Sequence, residues 1–339
     1  MHHSLKVTAA VTVAGLAIAA CGSSSNSSSS SGSSSSKSGT STTASSSSGT
    51  KSLALIQGTK ADDFYVSMGC GAQAEAAKLG YKMNVQGPAD FSAPDQIPIV
   101  NAVTAQKPGA VLIAPTDTKA LITPMQQMKS AGIKVVQVDT SVSDPTIAVS
   151  SITSNNELGG EKAADTLAQL IGDKGSVVVM NEQPGVSTTD ARVNGFVKQM
   201  KAAHPGIKVL KTQYVGDSPT KAAQTISSLL AANPDLSGVF ATNVLLAEGV
   251  DTGLANAHKA GQLKIVGFDA DPQQITDLKK GVVQALIAQE PYQEGVDGVQ
   301  QAVAALTGKP VKKSIQTPLV SITKATIGQM GQYIYKAHC

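Results

Sequence analysis

Six polar side chains that could bind a ligand or transfer protons lie at or just beyond the ends of short apolar runs. They are Asp62, Asp63, Asp139, Asn243, Asp269 and Gln289. Carboxylate and amide groups exchange hydrogen bonds with hydroxyl groups, and paired carboxylates can also act as acid and base. Because open α/β sheets bind ligands beyond the carboxyl ends of their strands, we expect these residues to form one site. Taken singly, each is equally typical of a turn or a helix cap.

Arg192 is the only arginine among 27 basic residues. Lysine would serve for solubility, whereas a guanidinium group is a planar fork of donors that can span two adjacent acceptors. Arg192 also lies near the start of a predicted helix that follows a predicted strand. These features predict a ligand-binding role, with a surface position as the alternative.

The sequence argues against metal, nucleotide and nucleic-acid chemistry. Gly69, Gly71 and Ala74 match a dinucleotide fingerprint but fall inside a helical pattern, away from the strand-to-helix turn where a pyrophosphate would bind. Beyond residue 50, 25 basic residues nearly balance 24 acidic ones, so no basic surface is expected. The histidines have no metal-ligand spacing and lie at His2, His3, His204, His258 and His338. We therefore expect no cofactor and no metal.

From Lys51 onward, short apolar runs alternate with helical patterns, which predicts parallel sheets buried on both faces. The predicted strands are Ser52–Gln57, Lys82–Gln86, Gly109–Ile113, Lys134–Val138, Ser176–Asn181, Ile207–Gln213, Gly238–Ala241, Lys264–Phe268 and Ala285–Ala288. The predicted helices are Phe64–Leu79, Pro94–Ala105, Lys119–Ala131, Asn156–Ile171, Thr188–Ala203, Pro219–Ala232, Leu245–Ala257, Pro272–Lys280 and Tyr292–Leu306. This order predicts an α/β protein with two doubly wound parallel-sheet lobes. The last helix is expected to return to the first lobe, which implies a multi-strand hinge.

The N-terminus has the features of an export signal. Lys6 precedes an apolar stretch at Val7–Ala20, which is too short for the ~20 residues of a membrane span. Residues 18–21 resemble a bacterial lipobox, so residues 1–21 are predicted to form a lipoprotein signal peptide in which Cys21 receives lipid. Residues 22–50 contain 18 serines in 29 positions and predict a flexible linker to an extracytoplasmic, lipid-anchored protein. An uncleaved membrane anchor is the alternative.

After lipidation of Cys21, only two thiols remain, at Cys70 and Cys339. Disulfides persist in exported proteins, so we predict that these two cysteines pair and tie the C-terminal tail to the first helix. A buried Cys70 with a free terminal thiol is the alternative.

Several short segments together resemble the type I periplasmic sugar-binding proteins of ABC importers. The segments are Phe64–Ser67, Gly71–Gln73, Ala114–Asp117, Val138–Asp139, Ser154–Asn156, Gly159–Gly160, Gly195–Phe196, Gly267–Asp269 and Ile287–Gln289. The resemblance covers the whole body of the chain. It implies the type I periplasmic binding protein fold, with a first lobe of residues 51–154 and 290–316. The second lobe, with the C-terminal tail, would then comprise residues 155–289 and 317–339.

The resemblance also implies a ligand site. Phe64 and Tyr65 would sandwich a sugar ring, because its C–H faces are apolar. Asp62 and Asp217 occupy pocket positions where the family usually has an amide and an aromatic residue, and Thr140 replaces an arginine. The implied hydrogen-bonding residues are Asp139, Arg192, Asn243, Asp269 and Gln289. The pocket is thus expected to be more acidic than a ribose site.

These residues predict a monomeric receptor that captures a small sugar or polyol and delivers it to an ABC transporter permease, without catalysis. Residues 86–96 with Asn101 also resemble receptors for a furanosyl quorum signal, so a signalling role is the alternative. A secreted hydrolase that uses paired aspartates is a third possibility. A repressor is excluded, because a serine-rich linker stands where a DNA-binding headpiece would be.

Overall fold

The computed structural model describes residues 51–339. The predicted lipobox at Cys21 and the linker at residues 22–50 lie outside the described residues. Within them, the strands β1 to β13 are Ser52–Ile56, Lys82–Gln86, Ala110–Ile113, Lys134–Val138, Ser150–Ser154, Gly175–Asn181, Ile207–Val209, Gln213–Tyr214, Leu236–Ala241, Lys264–Phe268, Ala285–Ala288, Ser314–Thr317 and Val320–Thr323. The helices α1 to α9 are Asp63–Lys78, Ala93–Gln106, Ile122–Ser130, Asn156–Ile171, Ser187–Ala203, Pro219–Ala232, Val244–Asn256, Pro272–Lys280 and Pro291–Leu306. Across residues 51–339, every helix is too short or too polar to span a membrane.

The strands form two sheets, which confirms the predicted α/β fold with two parallel-sheet lobes. The first sheet has the order β12-β5-β4-β3-β1-β2, and all of its pairs are parallel. The second has the order β13-β11-β10-β9-β6-β7, with β8 also beside β6, and only β13 runs antiparallel among its described strands. We call the first sheet with α1, α2, α3 and α9 lobe 1, and the second sheet with the remaining helices lobe 2.

The chain passes between the lobes at three places. It leaves lobe 1 after β5, returns after β11 through α9, and leaves again between β12 and β13. Helix α9 packs against α1 and the strands β3, β4 and β5. The three crossings make up the hinge between the lobes.

Burial on both faces explains why the central strands are apolar along their whole length. Every residue of β3 and of β11 is buried, and so are Leu53–Ile56 of β1. Parallel strands covered by helices on both sides need such continuous apolar runs. These runs are the signal that made the strands predictable.

Strands β5, β12 and β13 were not predicted, because they are rich in serine and threonine. Two serines of β5 are nevertheless buried, since distant residues satisfy their hydroxyl groups. Ser150 Oγ donates to the carbonyl of Lys312 at 2.7 Å, and Ser154 Oγ donates to Glu294 Oε1 at 2.9 Å. Such partners cannot be read from a local pattern.

The predicted strand Ile207–Gln213 is wrong in one respect, because it is divided into β7 and β8. Val177 of β6 pairs with Val209, whereas Met180 pairs with Gln213. Three steps along β6 therefore correspond to four steps along its partner. The extra residue interrupts this edge strand in the manner of a β-bulge.

In each lobe, two helices come into close contact through a reciprocal pair of glycines. Gly71 of α1 faces the carbonyl of Tyr292, and Gly295 of α9 faces the carbonyl of Met68. In lobe 2, Gly160 of α4 faces the carbonyl of Arg192, and Gly195 of α5 faces the carbonyl of Glu157. A Cβ atom at any of these glycines would overlap the facing oxygen. The glycines thus set the spacing of α1 from α9 and of α4 from α5.

A disulfide joins Cys70 in α1 to Cys339 at the end of the chain. The two cysteines are 269 residues apart in sequence, and their Cα atoms lie 5.4 Å apart. The last residues of the chain are therefore held against lobe 1.

We expect Gly160→Ala to destabilise the protein by about 1–3 kcal/mol, the usual cost of overpacking a close contact. The added methyl group would push α4 away from the backbone of Arg192, so the loss should appear in the free energy of unfolding from urea denaturation. Gly328→Ala is the control, because a Cβ atom there has no heavy atom within 4 Å. Equal stability of the two variants would show that the helix contact does not depend on glycine.

Candidate ligand-binding site

The start of α1 places an acid and two aromatic rings at the carboxyl edge of the lobe 1 sheet. Asp62 is the N-cap of this helix, and its Oδ1 accepts a hydrogen bond from the amide of Phe64 at 2.8 Å. Phe64 and Tyr65 are each 4% exposed, and their rings meet edge to face with centroids 5.1 Å apart. Phe91 stacks against Tyr65 with centroids 6.5 Å apart. These rings offer apolar surface to the C–H groups of a ligand.

Asp139 directly follows β4 in lobe 1, and Asp269 directly follows β10 in lobe 2. Both have a positive φ, 60° for Asp139 and 81° for Asp269, a conformation that aspartate adopts more readily than most residues. Their amides donate to the carbonyls of Ile152 and Ile287 on the neighbouring strands, at 2.8 and 2.9 Å. Tyr65 Oη also donates to Asp139 Oδ2 at 2.7 Å. Each lobe thus presents one aspartate in the same backbone arrangement.

The guanidinium group of Arg192 lies in the wall of the site on α5 and is 3% exposed. Its Nε donates to Asn156 Oδ1 at 2.8 Å, and its Nη1 donates to the carbonyl of Thr242 at 2.7 Å. Its Cζ lies 3.7 Å from the centroid of the Phe268 ring. It forms no salt bridge with a carboxylate of residues 51–339. Neutral groups therefore hold the guanidinium in place.

Asn243 organises two carboxyl groups in lobe 2. As the N-cap of α7, it accepts the amide hydrogen of Leu246 on Oδ1 at 3.0 Å. Its Nδ2 donates to Glu182 Oε1 at 2.8 Å and to Asp217 Oδ1 at 2.9 Å. Thr189 Oγ1 donates to the other oxygen of Glu182 at 3.1 Å. Helix capping and ligand-site geometry therefore depend on the same asparagine.

Asp269 is held by two donors. Its Oδ1 accepts from Gln289 Nε2 at 2.6 Å and from Tyr335 Oη at 3.0 Å. The backbone amide of Gln289 in turn donates to Tyr335 Oη at 3.2 Å. Gln289 Oε1 is buried and has no hydrogen-bond partner among the described residues. That oxygen can accept a hydrogen bond from a ligand.

One cavity between the lobes brings together all of the pocket residues predicted from the sequence. It is lined by Asp62, Phe64, Tyr65, Asp139, Arg192, Asp217, Asn243, Asp269 and Gln289. Asp63 does not line it and lies instead along an adjoining cavity with a volume of about 590 Å³. Thr140 is buried next to Asp139 but does not line the cavity, and its hydroxyl has no partner among the described residues.

Five carboxyl groups and one guanidinium group line the cavity. Because these carboxyl groups are buried, their ionised forms are disfavoured. Each carboxyl group has a raised pKa, with burial as the largest cause in every case; they are Asp62, Asp139, Glu182, Asp217 and Asp269. The positive charge of Arg192 opposes this rise in the pKa of Asp269. The acids cannot all be ionised at neutral pH at low cost.

Glu182 and Asp139 differ in pKa and therefore in their charge at neutral pH. Burial, and then the negative charge of Asp217, raises the pKa of Glu182 to about 8. Burial raises the pKa of Asp139 to about 6, against the effect of the hydrogen bond from Tyr65. At neutral pH, Glu182 is therefore mainly a protonated donor, whereas Asp139 is mainly an ionised acceptor. A mixture of buried donors and acceptors suits a ligand with several hydroxyl groups.

Six residues that line the cavity were not identified from the sequence, namely Thr59, Phe91, Glu182, Val186, Thr188 and Thr189, and neither was Tyr335, which supports the site from outside the cavity. Glu182 directly follows β6, so the rule that found the other strand-end residues could have found it. Phe91 lies two residues before the start of α2, and no local pattern marks it as part of a site. Tyr335 lies beyond the last strand, where the sequence carries no signal for its position.

Comparisons with known proteins agree with this geometry. Residues 53–310 match the family model described as periplasmic binding protein domain. The ribose import binding protein of Salmonella typhimurium is 34% identical over 273 residues, which cover 80% of this chain and 90% of that protein. The D-allose-binding periplasmic protein of Escherichia coli is 26% identical over 278 residues, covering 79% of this chain and 89% of that protein.

Solved structures show the same relationship. An ABC transporter solute-binding protein from Agrobacterium vitis, bound with α-D-tagatopyranose, is 42% identical with a TM-score of 0.82, covering 84% of this chain and 99% of that one. Another from the same organism, with bound D-fucose, is 30% identical with a TM-score of 0.80, covering 84% of this chain and all of that one. These homologues are binding proteins rather than enzymes, which contradicts the hydrolase alternative. The chain therefore belongs to the periplasmic binding protein domain family, among the sugar-binding proteins of ABC importers.

Proposed function

We propose that the protein binds a monosaccharide or a related polyol in the cavity between its lobes and delivers it to an ABC transporter permease. One observation carries this proposal: residues from both lobes, chosen from the sequence alone, line a single cavity. They combine buried aromatic rings with paired donors and acceptors. The importer role of the homologues supports transport over the signal-receptor alternative.

The proposed ligand is small and rich in hydroxyl groups. Phe64 and Tyr65 would cover a C–H face of the sugar ring, while Asp139, Arg192 and Asp269 would bond its hydroxyls. The bound sugars named for the homologues include a ketohexose and a deoxyhexose, α-D-tagatopyranose and D-fucose. We expect a pentose or hexose of this size class.

Lobe closure would couple binding to transport. We propose lobes of residues 51–154 with 290–316 and of residues 155–289 with 317–339, hinged at the three crossings. A ligand that contacts both lobes favours the closed form by its difference in affinity for the two forms. The closed form would then be presented by a monomer to the permease.

A thermal-shift screen tests the proposed function. D-tagatose, D-ribose, D-allose and a set of polyols would be compared with L-leucine as a ligand of different chemistry. A sugar that binds the folded state raises the melting temperature as its concentration increases. If no sugar or polyol does so, and leucine does, the proposed ligand class is wrong.

Arg192→Ala and Asp269→Ala should each weaken sugar binding by roughly tenfold to a hundredfold. Each change leaves buried polar partners unpaired, which costs about 1–3 kcal/mol, and 1.4 kcal/mol is a factor of ten. Calorimetry with the sugar identified in the screen measures the affinity. Lys201→Ala is the matched control, since it removes an exposed basic residue from the same helix as Arg192. Wild-type affinity in both site variants would mean that the pocket is misassigned.

Glu182→Gln should reduce the loss of stability that occurs as the pH rises. The folded-state pKa of Glu182, about 8, lies above the 4.5 that is usual for a glutamate side chain. The native state therefore holds a proton that the unfolded state releases, and stability falls as the pH rises between these values. Each unit of pKa shift corresponds to about 1.4 kcal/mol.

Urea denaturation from about pH 5 to about pH 8.5 would measure this effect. Across that range, the free energy of unfolding should fall by at least about 1.4 kcal/mol less in the variant than in wild type. Gln329→Ala is the control, because Gln329 is exposed and its side chain carries no titratable group. A Glu182→Gln variant with the wild-type slope would show that Glu182 titrates normally in the folded protein.

We also propose that Cys21 carries lipid that anchors the mature protein at the outer face of the cell membrane. Its support is the lipobox-like sequence at residues 18–21 and the serine-rich linker that follows. Cys21→Ala should move the protein from the membrane fraction to the soluble fraction and abolish incorporation of labelled palmitate. Cys339→Ser, which keeps the lipobox, should remain labelled. Unchanged labelling of Cys21→Ala would rule out this anchor.

A further inference from the structure

The C-terminal segment, residues 324–339, lies outside the part of the chain that matches the family model, residues 53–310. It contains two short 3₁₀ helices, Ile327–Gln329 and Gly331–Tyr333, and then six residues that end at Cys339. These last six residues contact both lobes. The segment therefore follows the matched part of the chain and reaches the ligand site.

Tyr335 makes the contacts with lobe 2. Its amide donates to the carbonyl of Ala270 at 3.0 Å, and its hydroxyl donates to Asp269 Oδ1 at 3.0 Å. The same hydroxyl accepts the amide hydrogen of Gln289 at 3.2 Å. Tyr335 is 4% exposed, so these bonds are shielded from water. Its side chain thus orients a carboxylate of the ligand site without lining the cavity itself.

The neighbouring residues make the contacts with α1 of lobe 1. The amide of Lys336 donates to Ser67 Oγ at 2.7 Å, and Cys339 is joined to Cys70 by the disulfide. The ring of Tyr335 also meets Phe64 edge to face, with centroids 5.8 Å apart. The residues held in this way lie on the helix that supplies the aromatic side of the site.

We propose that Tyr335 is a positioning residue for ligand binding and that the Cys70–Cys339 disulfide holds it in place. This inference rests on the proposed function of the cavity. The segment links Asp269 and Gln289 on one side to Phe64 on the other, so it prearranges ligand-binding groups of both lobes. Reduction of the disulfide then weakens binding even though neither cysteine touches the ligand.

The short reach of the segment supports this link. Cys339 is four residue steps along the chain from Tyr335, and an extended chain spans at most about 3.6 Å per step, or roughly 14 Å. While Tyr335 stays bonded to lobe 2, the Cα atom of Cys339 cannot move further than this from it, and the disulfide holds the Cα atom of Cys70 5.4 Å from that of Cys339. Without the disulfide, non-covalent contacts remain with lobe 1, among them the Lys336–Ser67 hydrogen bond, the ring contact with Phe64 and the contact of Lys336 Nζ with the Tyr292 ring at 4.5 Å.

The Tyr335 hydroxyl also affects the charge of Asp269. Burial raises the pKa of Asp269, whereas Arg192 and the hydrogen bonds from Gln289 and Tyr335 lower it. The remaining charged groups that face Asp269 are acids, namely Asp62, Asp139, Asp217 and Asp271. Removal of the hydroxyl therefore makes Asp269 take up a proton at a higher pH.

Tyr335→Phe tests the positioning role, since it keeps the ring and removes only the hydroxyl. Calorimetry with D-tagatose, D-ribose and D-allose should give affinities about three- to tenfold weaker than wild type for every sugar that wild type binds. The affinity should also begin to fall at a higher pH on acidification. Tyr214→Phe, an exposed tyrosine, is the control and should match wild type. A wild-type affinity and pH profile in Tyr335→Phe would overturn the role of Tyr335.

Cys339→Ser tests the role of the disulfide. We expect a similar loss of affinity, together with faster hydrogen exchange at the amides of Tyr335 and Lys336. A phosphine reductant should produce the same changes in wild type and no further change in Cys339→Ser. Unchanged affinity and exchange after disulfide removal would overturn the proposal.

Hydrogen exchange requires no sugar, so the two proposals can be judged separately. If wild type binds none of the three probes, the proposed function fails, and exchange alone decides whether the disulfide holds the segment. If wild type binds a probe and the tail variants bind it equally well, the proposed function stands and the role of the segment is refuted.

Discussion

The structure depends on the burial of one guanidinium group, that of Arg192. Removing such a charge from water costs several kcal/mol unless its donors are satisfied. Here Asn156 at the start of α4 and the carbonyl of Thr242 after β9 accept its hydrogen bonds, and the Phe268 ring covers one face. These partners come from three elements of lobe 2. The hydrogen bonds and ring contact of Arg192 therefore help to fix the position of α5 relative to α4 and the sheet.

The glycine contacts in lobe 2 also hold α5 close to α4. Gly160 lets α4 approach the backbone of Arg192 itself, and Gly195 lets α5 approach α4 in return. Lobe 1 repeats this arrangement with Gly71 and Gly295, which bring α9 against the helix that carries Phe64. Close helix pairs thus support the binding groups in both lobes. Because backbone meets backbone at these points, there is little room for adjustment by side-chain rotation.

The excess of acids around Arg192 determines what the cavity can bind. The guanidinium group is hydrogen-bonded to neutral groups. It therefore lowers the pKa of nearby acids such as Asp139 and Asp269 through its positive charge, without a direct salt bridge. Burial raises the pKa of Glu182 to about 8, so this acid can donate a hydrogen bond at neutral pH. A ligand with many hydroxyls can match such a set, because each hydroxyl both donates and accepts. An anionic ligand would meet repulsion from the remaining carboxylates.

The α/β class and the location of the site could be predicted from the amino-acid sequence. Continuous apolar runs such as Leu53–Ile56 identify strands that are buried on both faces, and polar residues at strand ends identify the edge where ligands bind. The strand-end rule identified Asp62, Asp139, Asn243, Asp269 and Gln289, the single arginine pointed to Arg192, and the family resemblance supplied Phe64, Tyr65 and Asp217. The structure brings all nine to one cavity, although their contact with a ligand stays a prediction. The Cys70–Cys339 pair could be named because few thiols were available.

Features that depend on partners far apart in the chain became visible in the folded protein and could not be predicted. Ser154, Glu294 and Thr317 bond to one another at the hinge, and this satisfies polar strands that no local pattern reveals. Tyr335 likewise reaches Asp269 only because the last residues fold back across both lobes. A local sequence pattern indicates how hydrophobic a segment is. It does not record which distant group will satisfy a buried hydroxyl, because that depends on the packing of the whole chain.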